Sequence, residues 1–247
     1  MKKIVKWVGS WSNTSYLSIR TVCNLARGKH MRKFGDLSGH FKEPARGGAP
    51  SSLIFILHGW GADGADLVDL AFPMSLRFPG AAFFIPDAPE VCSMNPAGRQ
   101  WFDIDDRVNG PAIASPFLDS ALTAACTELG VDLSATAITG FSQGGMMSLH
   151  CGYHLPMKPA AIVSFSGALL VHEGIKPASS NSDYPSTLLI HGTDDAVVPF
   201  ALMEASAGIL AEKNVIAKTV ARPGLGHGID PEGLTAAIDF LAECLPQ

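Results

Sequence analysis

The chain has 247 residues, of which 47% are hydrophobic and 17% charged, and its formal net charge is −5. That composition is globular and long enough for a sizeable core in one domain, which excludes a disordered or fibrous chain. The mildly acidic balance excludes nucleic acid as the main partner, and no apolar run is long enough to span a bilayer.

Residues 1–35 contain no Asp or Glu but carry Lys2, Lys3, Lys6, Arg20, Arg27, Lys29, Arg32 and Lys33. The apolar start Ile4-Val5 is broken at Lys6, too early for a secretory signal. An organelle-targeting peptide shares this basic, acid-free character, and Met31 is an alternative start. The reading adopted is a basic N-terminal extension and linker over 1–50, part of it without fixed structure, followed by a single catalytic domain over 51–247. Five cysteines, Cys23, Cys92, Cys126, Cys151 and Cys244, are scattered and form no C-x-x-C pair. They indicate free thiols in a reducing compartment, hence the cytoplasm, rather than a disulfide framework or a metal site.

Beyond a Gly/Ala/Pro/Ser-rich connection at 44–52, strand-like and helical segments alternate. Residues 53–57 are wholly apolar, as in a strand buried on both faces. Residues 65–76 have helical spacing, and 81–85 form a strand stopped by Pro86. Residues 87–110 show little periodicity, and unstructured segments of that length usually carry function. Ser115-Pro116 predicts a helix start, with Phe117, Ala121, Leu122, Ala125, Cys126 and Leu129 as its buried stripe and Gly130 as its stop. A strand at 135–139 precedes a helix at 144–154. Further strands are predicted at 161–165, 187–190 and 215–220. Helices are predicted at 201–213 and from Asp230-Pro231 onward, the last burying Leu234, Ala237, Ile238 and Leu241. Such alternation implies an α/β fold, a mostly parallel sheet with helices on both faces.

In such sheets ligands bind beyond the C-terminal strand ends. There the chain places Gly140-Phe141-Ser142-Gln143-Gly144, a G-x-S-x-G pattern between a strand and a helix. A serine hydroxyl becomes a useful nucleophile when a histidine takes its proton and a carboxylate orients that histidine. After the 187–190 strand come Asp194 and Asp195. Asp195 is chosen because Asp-Ala-Val-Val-Pro would fix its loop by packing both valines inward, whereas Asp194 reads as a solvated turn residue. Of eight histidines, His191 and His227 follow the serine on loops after strands. His191 precedes the acid and suits a structural hydrogen bond; His227, flanked by Gly226 and Gly228, is the candidate base. His150 and His154 read as packing or surface residues. Oxyanion donors are expected from the backbone N–H of Gln143, at a helix N-terminus, and of Trp60 in His58-Gly59-Trp60-Gly61, with His58 tying that loop down.

Seven blocks then occur in order: Leu57-His58-Gly59-Trp60-Gly61, Pro86-Asp87-Ala88-Pro89, Trp101-Phe102-Asp103, Gly140 to Gly145, Ser164-Phe165-Ser166-Gly167, His191-Gly192 with Asp195 to Pro199, and Gly226-His227. From about residue 53 onward the chain resembles the phospholipase/carboxylesterase family of α/β-hydrolases, which includes acyl-protein thioesterases and small bacterial carboxylesterases. The resemblance implies an α/β-hydrolase fold without a large cap domain. It implies a triad of Ser142, Asp195 and His227, an oxyanion hole from Trp60 and Gln143, and Trp101 beside the acyl pocket. Many members carry Leu where this chain has Trp60, and the larger side chain would narrow the cleft. The implied activity is a carboxylesterase acting on short acyl esters, with acyl-protein thioesterase, lysophospholipase or a non-catalytic ligand-binding protein as alternatives. No metal or organic cofactor is called for. The partner is a small ester or thioester, without stable membrane insertion and with a homodimer left open.

Overall fold

The computed structural model describes residues 30–156, 158–180 and 183–246. Its strands in chain order are β1 (His30–Phe34), β2 (Leu37–Lys42), β3 (Ser52–Leu57), β4 (Ala81–Pro86), β5 (Glu90–Val91), β6 (Arg99–Gln100), β7 (Thr136–Phe141), β8 (Ala161–Phe165), β9 (Ser186–Gly192) and β10 (Ala217–Arg222). The helices are α1 (Ala71–Arg77), α2 (Gly110–Leu129), α3 (Gln143–His154), α4 (Ala201–Glu212) and α5 (Pro231–Cys244). One sheet of eight strands runs β1-β2-β4-β3-β7-β8-β9-β10, while β5 and β6 pair separately. From β4 to β10 every neighbour is parallel; β1 and β2 join antiparallel.

Strand β3 shows why these residues form a central strand. Side chains alternate across a strand, so a strand covered on both sides must be apolar throughout. Leu53, Phe55 and Leu57 enter the core shared with α2, α3 and α4. Ile54 and Ile56 enter the opposite core, shared with α1 and α5. Two helical layers therefore cover one sheet, and the ends of β3, β7, β9 and β10 come to one edge where their loops meet.

The predicted N-terminal extension stops short of residue 50. Residues 30–42 form an antiparallel hairpin, in register Phe34↔Leu37, that pairs with β4 through Phe41↔Phe84. Phe34 packs edge-on against Phe41 and Phe84, with centroids 5.6 and 5.0 Å apart. Arg32 lies over the Phe34 and Phe41 rings and pairs with Glu128 of α2. The hairpin thus belongs to the domain, and its excess of basic residues masked the alternation of Phe34, Leu37 and Phe41. What the sequence suggests for residues 1–29 lies outside the described residues.

Helix α2 begins at Gly110, ahead of the predicted start at Ser115. Pro111 occupies its first turn and Pro116 lies inside it. Pro116 has no N–H for the carbonyl of Ala112; the Ser115 hydroxyl donates to that carbonyl instead, at 3.1 Å. Of the expected stripe, Cys126 and Leu129 are half-buried against the core. Ala114, Leu118, Ala121, Leu122 and Ala125 are buried, while Phe117 remains 37% exposed.

Candidate active site

Strand β7 ends in a sharp turn at Ser142, whose φ of 55° and ψ of −119° lie where non-glycine residues are strained by about 1–3 kcal/mol. The turn is held from both sides. The Ser142 N–H donates to the Phe165 carbonyl at the end of β8, and its carbonyl accepts from Met146 N–H in α3. Close crossing of helix and strand dictates glycine at 144, where a Cβ would stand 2.2 Å from the Leu57 carbonyl oxygen.

His227 arrives from the loop after β10. That loop is closed at its base by Arg222, which holds the Asp230 carboxylate through Nε and Nη2 at 2.8 and 2.7 Å. It is tied to the loop after β9 by Gly224 N–H to Thr193 Oγ1 and Asp194 N–H to the Leu225 carbonyl. The imidazole then bridges two groups. Nδ1 is 2.7 Å from Asp195 Oδ2, and Nε2 is 3.0 Å from Ser142 Oγ. An ionised carboxylate only accepts, so Nδ1 carries the proton and Nε2 faces the hydroxyl as an acceptor. The Phe141 ring, 4.7 Å from the imidazole between centroids, supports it from below.

Asp195 is held by its second oxygen. Oδ1 accepts from the N–H groups of Val197 and Val198, each at 2.9 Å. Burial works to raise its pKa, but the bond from His227 and the amides of Val198 and Val197 outweigh burial and hold it below the ordinary carboxylate range. His191 Nε2 donates to the Val198 carbonyl at 2.8 Å and lies 3.4 Å from Asp195 Oδ2, so it braces the acid loop from behind. Asp194 is exposed and accepts from its neighbour's hydroxyl, Thr193. Only one of the two valines packs inward. Val198 is buried, whereas Val197 is 68% exposed at the rim of the cavity.

A cavity of about 320 Å³ opens above Ser142 and His227. Trp60 and Gln143 line it, and among the described residues neither backbone N–H has another hydrogen-bond partner. Met146, Leu170, Val198 and Leu202 supply apolar wall. Trp60 is pinned through its indole N–H to Gln100 Oε1 at 3.1 Å. Burial lowers the His58 pKa, and this neutral ring accepts from Ala88 N–H at Nε2 while its Nδ1 donates to the Gly59 carbonyl.

Trp101, expected beside the acyl pocket, is not part of this cavity wall. It is 1% exposed, donates its indole N–H to the His58 carbonyl at 2.8 Å, and lines a separate hollow of about 240 Å³. The Gln143 side chain is a feature that sequence reasoning passed over: Oε1 accepts from Trp101 N–H at 2.9 Å and Nε2 donates to the Phe102 carbonyl at 2.7 Å. His150 and His154 stack with centroids 4.4 Å apart, on α3 and away from the cavity wall. Among the described residues no cluster of His, Cys, Asp and Glu is arranged to hold a metal ion, and no helix is long and apolar enough to cross a membrane.

A histidine bonded on one nitrogen to a buried carboxylate and on the other to a hydroxyl can take that hydroxyl's proton. A family model described as Phospholipase/Carboxylesterase matches residues 45–245. The chain belongs to the phospholipase/carboxylesterase family. Its α/β-hydrolase fold and its class, a serine hydrolase acting on ester bonds, follow from that membership. Among similar family members, acyl-protein thioesterase 1 of Gibberella zeae is 26% identical over 224 residues, covering 82% of this chain and 94% of that protein. Esterase YpfH of Escherichia coli is 26% identical over 213 residues, covering 84% of this chain and 89% of its own. The crystal structure of esterase PE8 superposes with a TM-score of 0.78 at 36% identity, over 85% of this chain and 100% of that one.

Proposed function

We propose that this family member is a carboxylesterase that hydrolyses short-chain esters through an acyl-enzyme on Ser142. The observation that carries the reading is the His227 bridge between Ser142 Oγ and Asp195. Ser142 Oγ attacks the carbonyl carbon while His227 Nε2 takes its proton. The resulting oxyanion is met by the N–H groups of Trp60 and Gln143, the latter at the positive end of α3. The tetrahedral intermediate collapses, the leaving alcohol takes the proton from His227, and the acyl group stays on Ser142. Water deprotonated by His227 then repeats the sequence and releases the acid. Ser142→Ala should lower kcat about a million-fold if the three groups act as a unit. Turnover near the wild-type rate in that variant would end the reading, as would failure of the wild type to be labelled at Ser142 by a fluorophosphonate.

Small size supports short acyl chains, because a cavity of about 320 Å³ sits at the lower end of the ~300–1,000 Å³ typical of ligand pockets. Acyl-protein thioester or lysophospholipid cleavage is the second reading; the relative in Gibberella zeae, matched over 94% of its length, favours the thioester. A p-nitrophenyl ester series from acetate to palmitate, run beside an acyl thioester, decides between them. The four cysteines among the described residues are all free thiols, which supports a reducing, cytoplasmic location.

A further inference from the structure

Of the two oxyanion donors, the Gln143 N–H opens α3, and the Trp60 N–H belongs to a peptide beyond the end of β3. A peptide unit is planar, so the direction of the Trp60 N–H is set by the direction of the Gly59 carbonyl. That carbonyl accepts from His58 Nδ1 at 2.8 Å. The proton must be on Nδ1, because Nε2 of the same ring accepts from Ala88 N–H at 3.0 Å. The main chain of His58 is held as well, its carbonyl accepting the Trp101 indole N–H at 2.8 Å. Trp101 is held in turn by the Gln143 side chain, which grips the backbone of 101 and 102 at 2.9 and 2.7 Å. Gln143, Trp101 and His58 are no more than 1% exposed, so no solvent exchange loosens these bonds.

The geometry points to a positioning relay, Gln143 side chain to Trp101 indole to His58 to Gly59 carbonyl, that aims the Trp60 donor at the developing oxyanion. The relay begins on the very residue whose backbone N–H is the other donor, so it sets one donor's direction relative to the other. Trp101 is thereby a positioning residue and not a wall of the acyl pocket. This proposal rests on the ester-hydrolase reading.

Trp101→Phe removes the indole N–H together with its five-membered ring and keeps one aromatic ring. It should lower kcat about 10- to 100-fold, less than outright loss of a donor, with KM within about threefold. The preference for an ester over its thionoester should shrink by a similar factor, since the sulfur anion formed from a thionoester draws less on N–H donors than an oxyanion does. The midpoint of the pH–rate profile should stay put, because His227 and Asp195 are untouched. Gln143→Met tests the relay from its other end, and folding of each variant is checked by its melting temperature. In the double variant the loss should exceed the larger single loss by no more than about threefold, as for groups acting through one path. A raised KM with unchanged kcat, an unchanged ester-to-thionoester ratio, or losses that multiply would overturn the relay. Absence of Ser142-dependent turnover in the wild type would remove the hydrolase reading instead; wild-type turnover with unaffected variants removes the relay alone.

Discussion

Asp195→Asn separates the orienting role of the acid from its packing. The amide that replaces the carboxylate has one acceptor and one donor end, and the structure dictates which end goes where. Oδ1 accepts from two N–H groups, those of Val197 and Val198. The amide oxygen must take that place, because an NH₂ there would face two donors and lose both bonds. The NH₂ is then turned to His227 Nδ1, 2.7 Å away in the wild type. Nδ1 is forced to accept, the imidazole proton moves to Nε2, and Ser142 faces a donor where it needs a base. The loss in kcat should be about 10⁴, the size seen when a triad histidine is held in the wrong tautomer. At 1.36 kcal/mol per decade that is about 5 kcal/mol of transition-state stabilisation. Stability should fall by only about 1–2 kcal/mol, since the two amide bonds at Oδ1 survive and one charge-assisted bond is lost. The assay is the burst and steady-state rate on p-nitrophenyl acetate, with melting temperature alongside. Asp194→Asn, in an exposed side chain that accepts from the Thr193 hydroxyl, is the control and should leave kcat within about twofold. Asp195→Asn activity within tenfold of wild type, or a large loss in Asp194→Asn, would refute the assignment.

Two further expectations concern the frame of the site. Gly144→Ala should unfold the protein or lower its stability by several kcal/mol, since its Cβ would press on the Leu57 carbonyl at 2.2 Å; Gly208→Ala, with nothing within 4 Å on exposed α4, should raise stability by about 0.5–1 kcal/mol. Equilibrium urea unfolding of both variants measures the contrast, and equal effects would count against the backbone contact as the cause. Burial, with a smaller contribution from His154, lowers the His150 pKa from 6.5 to about 4. Between those pH values the unfolded chain takes up a proton that the folded chain refuses, so stability falls as pH drops from about 6.5 towards 4. His150→Phe should remove roughly 2 kcal/mol of that decline between pH 7 and 4.5, less than the full linkage because part is screened by solvent. Parallel stability–pH curves for wild type and variant would show that other groups govern it.

Most of the sheet was legible because strands covered on both faces have only one way to look. The apolar runs of residues 53–57 in β3 and 81–86 in β4 announce themselves, whereas Ser142, Asp195 and His227 follow β7, β9 and β10, strands that carry polar residues. The hairpin of residues 30–42 was not legible for the opposite reason. As an edge pair it buries one face only, with Leu37, Gly39 and Phe41 buried in β2, and its basic residues are split: Lys33 is exposed, while Arg32 lies over the Phe34 and Phe41 rings. A charge count over a window sums both faces and loses that distinction. Helix α2 was misplaced through a sound local rule applied one turn late: two prolines, Pro111 and Pro116, both fit a first turn, and only tertiary packing of Ala114 decides between them.

The site divides along the same line. Ser142, Asp195 and His227 could be picked out as candidates because a serine–carboxylate–histidine unit needs those residue types after strand ends, and they follow β7, β9 and β10 in that order. The role of Trp101 was not, even though its block marks it as important. A motif reports that a residue matters, while the direction of its side chain depends on where its one donor finds an acceptor. Once the indole is buried, its N–H has to be paired, and the acceptor it meets is the His58 carbonyl rather than solvent in the cleft. That bond turns the indole's polar edge towards the loop after β3. The long segment 87–110 thus has two sides: Trp101 bonds to the backbone of the loop after β3, while Ile104 and Arg107 line the cavity over Ser142.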